Sequence, residues 1–244
     1  MTTNNHFINP NRTKNGEVCE DSSSLKKYRK DKKRLGKTWE YFDKPVLYNQ
    51  NPESFRTTPF ANIKWEDSVV VFGCSNVYGI GLANEDTITN QLEQILDMPV
   101  INLGIPGTGI DLAAVNSLIL HEHYPTPKAV VHLWSGADRY TDFTKDTTIP
   151  MMPKRGVNRF GKTYIWTLDW SIRSKHYILA DNALWRNKTC YYEASYFTQT
   201  CELLNIDLIK IIDEASDLAH PGTKSAKAGA IQIAEALLKQ GIRK

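Results

Sequence analysis

No stretch of about 18 uninterrupted apolar residues, the length a membrane-spanning helix needs, occurs in the sequence. The opening residues, MTTNNHFINPNRTKNG, are polar and lack the charged-then-apolar layout of a secretory leader, so the chain reads as cytoplasmic, with no membrane partner. Cysteine is scarce. Cys19, Cys74, Cys190 and Cys201 stand apart, without a Cys-x-x-Cys pair or Cys/His ligand spacing, so neither a zinc site nor a disulfide scaffold is indicated. Excess charge is small too: 30 Lys and Arg against 27 Asp and Glu leave a formal +3. Much of that surplus lies in Lys26, Lys27, Arg29, Lys30, Lys32, Lys33, Arg34 and Lys37. A run of this kind reads as a solvated arm or helix face in preference to a nucleic-acid footprint, and nucleic acid is not an expected partner. No internal repeat is evident.

What is present fits one globular domain with an extension: 244 residues, 41% hydrophobic and 23% charged. Residues 1–66 are rich in Asn, Ser, Thr and Lys and read as a polar, basic arm, with a short basic helix over Ser24 to Arg34. Residues 67–244 carry the domain. SVVVFG from Ser68 is a β-branched run ending in Gly, the pattern of a strand buried on both faces of a parallel sheet. A helix over Glu85 to Leu96, the strand PVINLG, a helix over Ile110 to Glu122 and the strand AVVHLW continue the alternation. A helix over Tyr191 to Leu204, a fourth strand in IDLIKII and a last helix over Ser225 to Lys239 complete a three-layer α/β/α sandwich on a parallel sheet. The pattern breaks at about 141–188, which reads as an insertion or cap. Its Tyr164, Trp166, Trp170, Tyr177 and Trp185 serve either as core or as a lip for sugar or acyl recognition.

In such a sheet, ligands bind at the carboxyl ends of the strands, where helix N-termini aim free N–H groups into the cleft. Three expected strand ends carry GCSNVYG (73–79), NLGIPG (102–107) and DLAHPG (217–222). A serine hydroxyl needs a base within reach and a third group to orient that base. Ser75, His220 and Asp217 supply those types, and the i, i+3 spacing lets one turn hold the carboxylate beside the imidazole. The backbone N–H groups of Ser75 and Gly104 are candidates for the oxyanion site. Each residue also has a plainer reading: Ser75 as a helix cap, Cys74 as an inert packed thiol, His132 as a buried structural histidine, and His121 and His123 as exposed residues at a helix end.

The three blocks, in this order and each after an expected strand, resemble the SGNH (GDSL-like) hydrolase superfamily over about Val69 to Leu238. They look most like its phage and marine-bacterial members with a GCS block. The resemblance implies a flavodoxin-like fold and a serine esterase that cleaves a small acyl or acetyl ester, often on carbohydrate, with no metal or cofactor. One block departs from the pattern. The usual Gly-x-Asn-Asp reads Ser135-Gly136-Ala137-Asp138-Arg139, so Asp138 stands where a neutral oxyanion donor is expected. An ionised Asp138 would repel an oxyanion. It must therefore be protonated, turned away or paired with Arg139, and Ser135 or Arg139 then serves as donor. The departure keeps open a second reading, a weakly catalytic or inactive carbohydrate-binding module on the same scaffold.

Overall fold

Short apolar runs that can reach one another only through crossover helices produce a five-stranded parallel sheet. The computed structural model describes residues 6–10, 22–43, 46, 48–137, 139–142, 149–151 and 166–243. Helix α1 (Ser22–Leu35) carries the basic run and precedes β1 (Val69–Gly73), the four-residue α2 (Ser75–Tyr78), α3 (Ile88–Leu96), β2 (Val100–Gly104) and α4 (Ile110–His123). Strand β3 (Ala129–Trp134), the hairpin strands β4 (Tyr140–Asp142) and β5 (Ile149–Met151), and α5 (Trp166–Trp185) follow. The chain then forms β6 (Cys190–Ser195), α6 (Thr198–Leu204), β7 (Asp207–Leu208) and α7 (Thr223–Lys239). Spatial order in the main sheet is β2-β1-β3-β6-β7, the doubly wound order of flavodoxin-like folds, and β1 lies at its switch point.

Successive residues of β1 point to opposite cores. Val69 and Val71 meet Ile88 and Leu92 of α3 and Ala230, Ile233 and Leu237 of α7. Val70 and Phe72 meet Ile110, Leu112 and Leu120 of α4 and Ile178 and Trp185 of α5. The outcome is the expected three-layer α/β/α sandwich. Within the second core, His132 Nε2 lies 2.7 Å from Asp181 Oδ2, and the imidazole stacks on Trp134 and Phe72. Strand β7 pairs only with Ala194 and Ser195, so the first half of β6 borders the sheet. There Gln240 takes the place of a strand: its Oε1 accepts the Tyr191 N–H and its Nε2 donates to the Tyr191 carbonyl, both at 2.9 Å.

Four stretches differ from the sequence reading. Cys190–Ser195 is strand, not helix: Tyr191 faces the α4/α5 core while Tyr192 and Ala194 face the other, a period of two. IDLIKII contributes only Asp207 and Leu208 as strand, and Ile211 and Ile212 are 55% and 60% exposed. The stretch read as an insertion supplies α5, the crossover between β3 and β6. Its buried face runs through Ser174, Ile178, Asp181 and Trp185, two of them polar, while Ile172 and Leu179 are exposed. Finally, Phe7, Phe55, Phe60 and Trp65, from the stretch read as an arm, are buried in the α4/α5 core.

Candidate functional site

Strand β1 ends at Gly73, and the chain turns at once into α2, whose first residue is Ser75. That turn carries the serine hydroxyl to the carboxyl edge of the sheet. Asp217 and His220 arrive there from the loop between β7 and α7. His220 Nε2 lies 2.9 Å from Ser75 Oγ, and His220 Nδ1 lies 2.6 Å from Asp217 Oδ2. The other carboxylate oxygen, Oδ1, accepts the main-chain N–H groups of Ala219 (3.2 Å) and His220 (3.1 Å). Burial pushes the Asp217 carboxyl up. The hydrogen bond and charge of His220, with those two N–H groups, outweigh it and hold the group below its ordinary value. An ionised Asp217 fixes the proton of the neutral imidazole on Nδ1, which leaves the Nε2 lone pair facing the serine hydroxyl.

The remaining sequence candidates have separate places. Gly104 is the last residue of β2, and its N–H donates to Asn102 Oδ1 at 2.9 Å, so within the structure it is already engaged. Its lack of a side chain has a different use: a Cβ there would lie 2.4 Å from Tyr78 N and 2.8 Å from Val77 C, so only glycine lets α2 rest on β2. Asp138 lies outside the described residues. Ser135 is buried, and its carbonyl accepts the Thr200 hydroxyl at 3.2 Å. The Arg139 guanidinium lies over the Phe197 ring, 5.0 Å from its centre. Cys74 is buried, with its Sγ 3.9 Å from Ser75 Oγ. His123 stacks on His6, His121 contacts Lys188, and no group of three metal-ligating side chains occurs among the described residues. Of the aromatics at 141–188, Tyr164 lies outside the described residues, Tyr177 is exposed, and Trp185 is buried with its indole N–H on Ser117 Oγ at 2.7 Å.

Sequence reasoning passed over two groups in the loops around α2 and β2. Gly107, the second glycine of NLGIPG, stands at φ 79° between β2 and α4, and its N–H has no acceptor among the described residues. Its position in the block was a usable signal. Arg56 and Tyr48, whose side chains reach the loop after α2, come from the aperiodic N-terminal stretch, where nothing in the pattern marks them.

No protein-family model and no curated protein matches the chain. Among solved structures, it is similar to an acetyl xylan esterase from the rumen bacterium Butyrivibrio proteoclasticus, at 11% identity and a TM-score of 0.49, over 73% of this chain and 64% of that one. The chain therefore spans less than two thirds of that protein's length. Another is a psychrotrophic esterase from Pseudoalteromonas sp. inhibited by monoethylphosphonate: 16% identity, TM-score 0.44, 72% of this chain and 98% of that one. A third is a carbohydrate esterase family 2 enzyme with a carbohydrate-binding domain from Corynascus thermopiles: 11% identity, TM-score 0.44, 75% of this chain and 68% of that one. At these identities and scores, a functional reading rests on the geometry of the site.

Proposed function

We propose that the protein is a serine ester hydrolase in which Ser75 is the nucleophile, His220 the general base and Asp217 the group that orients it. The observation that carries the reading is the pair of contacts at His220, 2.9 Å to Ser75 Oγ and 2.6 Å to Asp217 Oδ2. As Oγ bonds to the acyl carbon, its proton passes to Nε2. The imidazolium, steadied by the carboxylate, then gives that proton to the departing alcohol, and water repeats the sequence to release the acid. The Ser75 N–H, at the first turn of α2, is one oxyanion donor in this reading. Because Asn102 holds the Gly104 N–H, the Gly107 N–H, from the same sequence block and without an acceptor among the described residues, is the candidate for the second.

A small acyl or acetyl ester, carried on a carbohydrate, is the proposed substrate class, and it follows from the resemblance of the three sequence blocks. Fluorophosphonate labelling tests the nucleophile, and turnover of nitrophenyl esters and acetylated sugars tests the substrate. Labelling should fall on Ser75 and vanish, with turnover, in Ser75→Ala, while Cys74→Ala keeps most of both. An unlabelled wild-type protein that still binds acetylated sugar would replace this reading with the non-catalytic binding module. Equal turnover by Ser75→Ala would remove Ser75 as nucleophile.

A further inference from the structure

The two halves of the site belong to stretches of chain far apart in sequence, and the serine stands on a helix of four residues, too short to hold its own geometry. Something else must fix α2 relative to the turn that carries Asp217 and His220. Arg56, 3% exposed, reaches the C-terminal end of α2 from the N-terminal stretch. Its Nη1 donates to the carbonyls of Tyr78 (3.1 Å) and Gly79 (2.7 Å), and its Nη2 donates to the carbonyl of Leu82 (2.8 Å). A cation suits the carbonyl end of a helix, and the planar guanidinium locks the three oxygens in one mutual arrangement that a lysine could not reproduce. The Tyr48 ring lies 5.0 Å from the guanidinium carbon, and the Tyr48 hydroxyl oxygen accepts the Gly81 N–H at 2.8 Å.

Gly81 is where this loop meets the other half of the site. Its carbonyl accepts both the N–H (3.2 Å) and the hydroxyl (2.8 Å) of Ser216, the residue before Asp217. Its φ is +78°, and a Cβ there would lie 2.8 Å from Ala215 Cβ and 3.2 Å from Asp217 N, so the two loops touch main chain to main chain. Bonds and hydrogen bonds thus close a ring from Ser75 along α2 to Gly81, across to Ser216, on to Asp217 and His220, and back to Ser75 Oγ at 2.9 Å.

We propose that Arg56 and Tyr48 form a clamp that sets the spacing between the Ser75 helix and the Asp217–His220 turn, making both positioning residues for the reaction. The role in turnover rests on the hydrolase reading above; the role in holding the two loops together does not. A misplacement of about 1 Å costs on the order of a hundredfold in rate, so loss of the clamp should be visible in turnover.

The test uses the full chain as wild type, Arg56→Ala, Arg56→Lys and Tyr48→Phe, each assayed well below its own melting temperature. Amide hydrogen exchange at Gly81 and Ser216 is read beside kcat and KM on nitrophenyl acetate. Arg56→Ala should lower kcat by about 10- to 100-fold while KM changes by less than about threefold. The Gly81 and Ser216 amides should exchange faster together. Arg56→Lys should recover part of both effects, and Tyr48→Phe, which keeps the ring and removes only the acceptor for Gly81, should show a smaller version of both. Wild-type kcat in folded Arg56→Ala, a change confined to KM, or unchanged exchange at Ser216 would overturn the clamp. If Arg56→Ala does not fold, Arg56→Lys and Tyr48→Phe decide by the same criteria. If the wild-type protein neither turns over ester nor takes the fluorophosphonate label, the hydrolase reading fails by itself, and joint acceleration of the two amides, or its absence, still decides the clamp.

Discussion

Asp217 holds His220 by side chain and main chain at once: Oδ2 lies 2.6 Å from Nδ1, and Oδ1 accepts the histidine's own N–H at 3.1 Å. An asparagine offers one oxygen for these two donors. Asp217→Asn should therefore either turn its amide toward the ring and fix the wrong tautomer, or give up the main-chain bond. The expected loss in kcat on an activated acetyl ester is on the order of a thousandfold or more. A loss below tenfold would mean that the imidazole is oriented by other groups.

The lowered pKa of Asp217 has a definite sign. A carboxyl held below its ordinary value gives up its charge at a lower pH than a free carboxyl does, so it is ionised from about pH 5 upward. Carbon-detected NMR should place the protonation midpoint of the Asp217 carboxyl below that of an ordinary aspartate, outside the window from about pH 5 to 9. Any acid loss of rate in that window then belongs to another group. A carboxyl midpoint inside the window would contradict the ionised, imidazole-paired state.

Gly104 yields a structural prediction with a catalytic readout. A methyl group there would press on Tyr78 N and Val77 C at 2.4 and 2.8 Å, and neither main-chain atom can turn aside. Gly104→Ala should cost about 1–3 kcal/mol of stability by overpacking and should push α2, with Ser75, off the sheet. Fluorophosphonate labelling in the remaining folded protein should slow by about tenfold or more. Labelling at the wild-type rate would show that α2 tolerates the displacement.

Asp213 governs the entry to α7, the helix that follows the His220 turn. Its carboxylate accepts the N–H groups of Lys224 (3.0 Å) and Ser225 (2.8 Å) and the Ser225 hydroxyl (2.7 Å). Burial raises its pKa, but these bonds and the charge of Lys224 bring it below the ordinary value. A depressed folded-state pKa contributes stability above the unfolded value, and that contribution is lost as the pH falls through the folded one. Asp213→Ala should lower stability at pH 7 by about 1 kcal/mol, a typical helix-cap loss. In a domain of this size that is about 2–4 °C in Tm. The gap to wild type should begin to narrow below about pH 4 and vanish once the pH is below the folded-state pKa, and a gap that does not narrow would assign the loss to packing.

The doubly wound sheet was legible because β1, β2 and β3 are β-branched or apolar runs with both faces buried, each closed by a glycine or a turn. Ser75, Asp217 and His220 were legible because short motifs keep chemistry and turn residues together. Periodicity failed where burial is not apolar. Helix α5 turns Ser174 and Asp181 inward, and Asp181 is there to meet His132, so no hydrophobic stripe announces the crossover. In the first 66 residues the anchors are single aromatics such as Phe7, Phe55 and Phe60, placed by loops without a period. The clamp was illegible for a related reason. Arg56 satisfies main-chain carbonyls, and the sequence gives no sign of which carbonyls lack partners.

Gln240 caps the exposed flank of β6 at Tyr191. An unpaired strand flank is a template on which another chain can continue the sheet. Strand β7 is too short to cover the whole flank, and at Tyr191 it is one amide side chain that presents the same donor and acceptor a neighbouring strand would bring. At Tyr191, then, the N–H and the carbonyl that an incoming strand would need are both already engaged within the molecule, by one side chain in place of a strand.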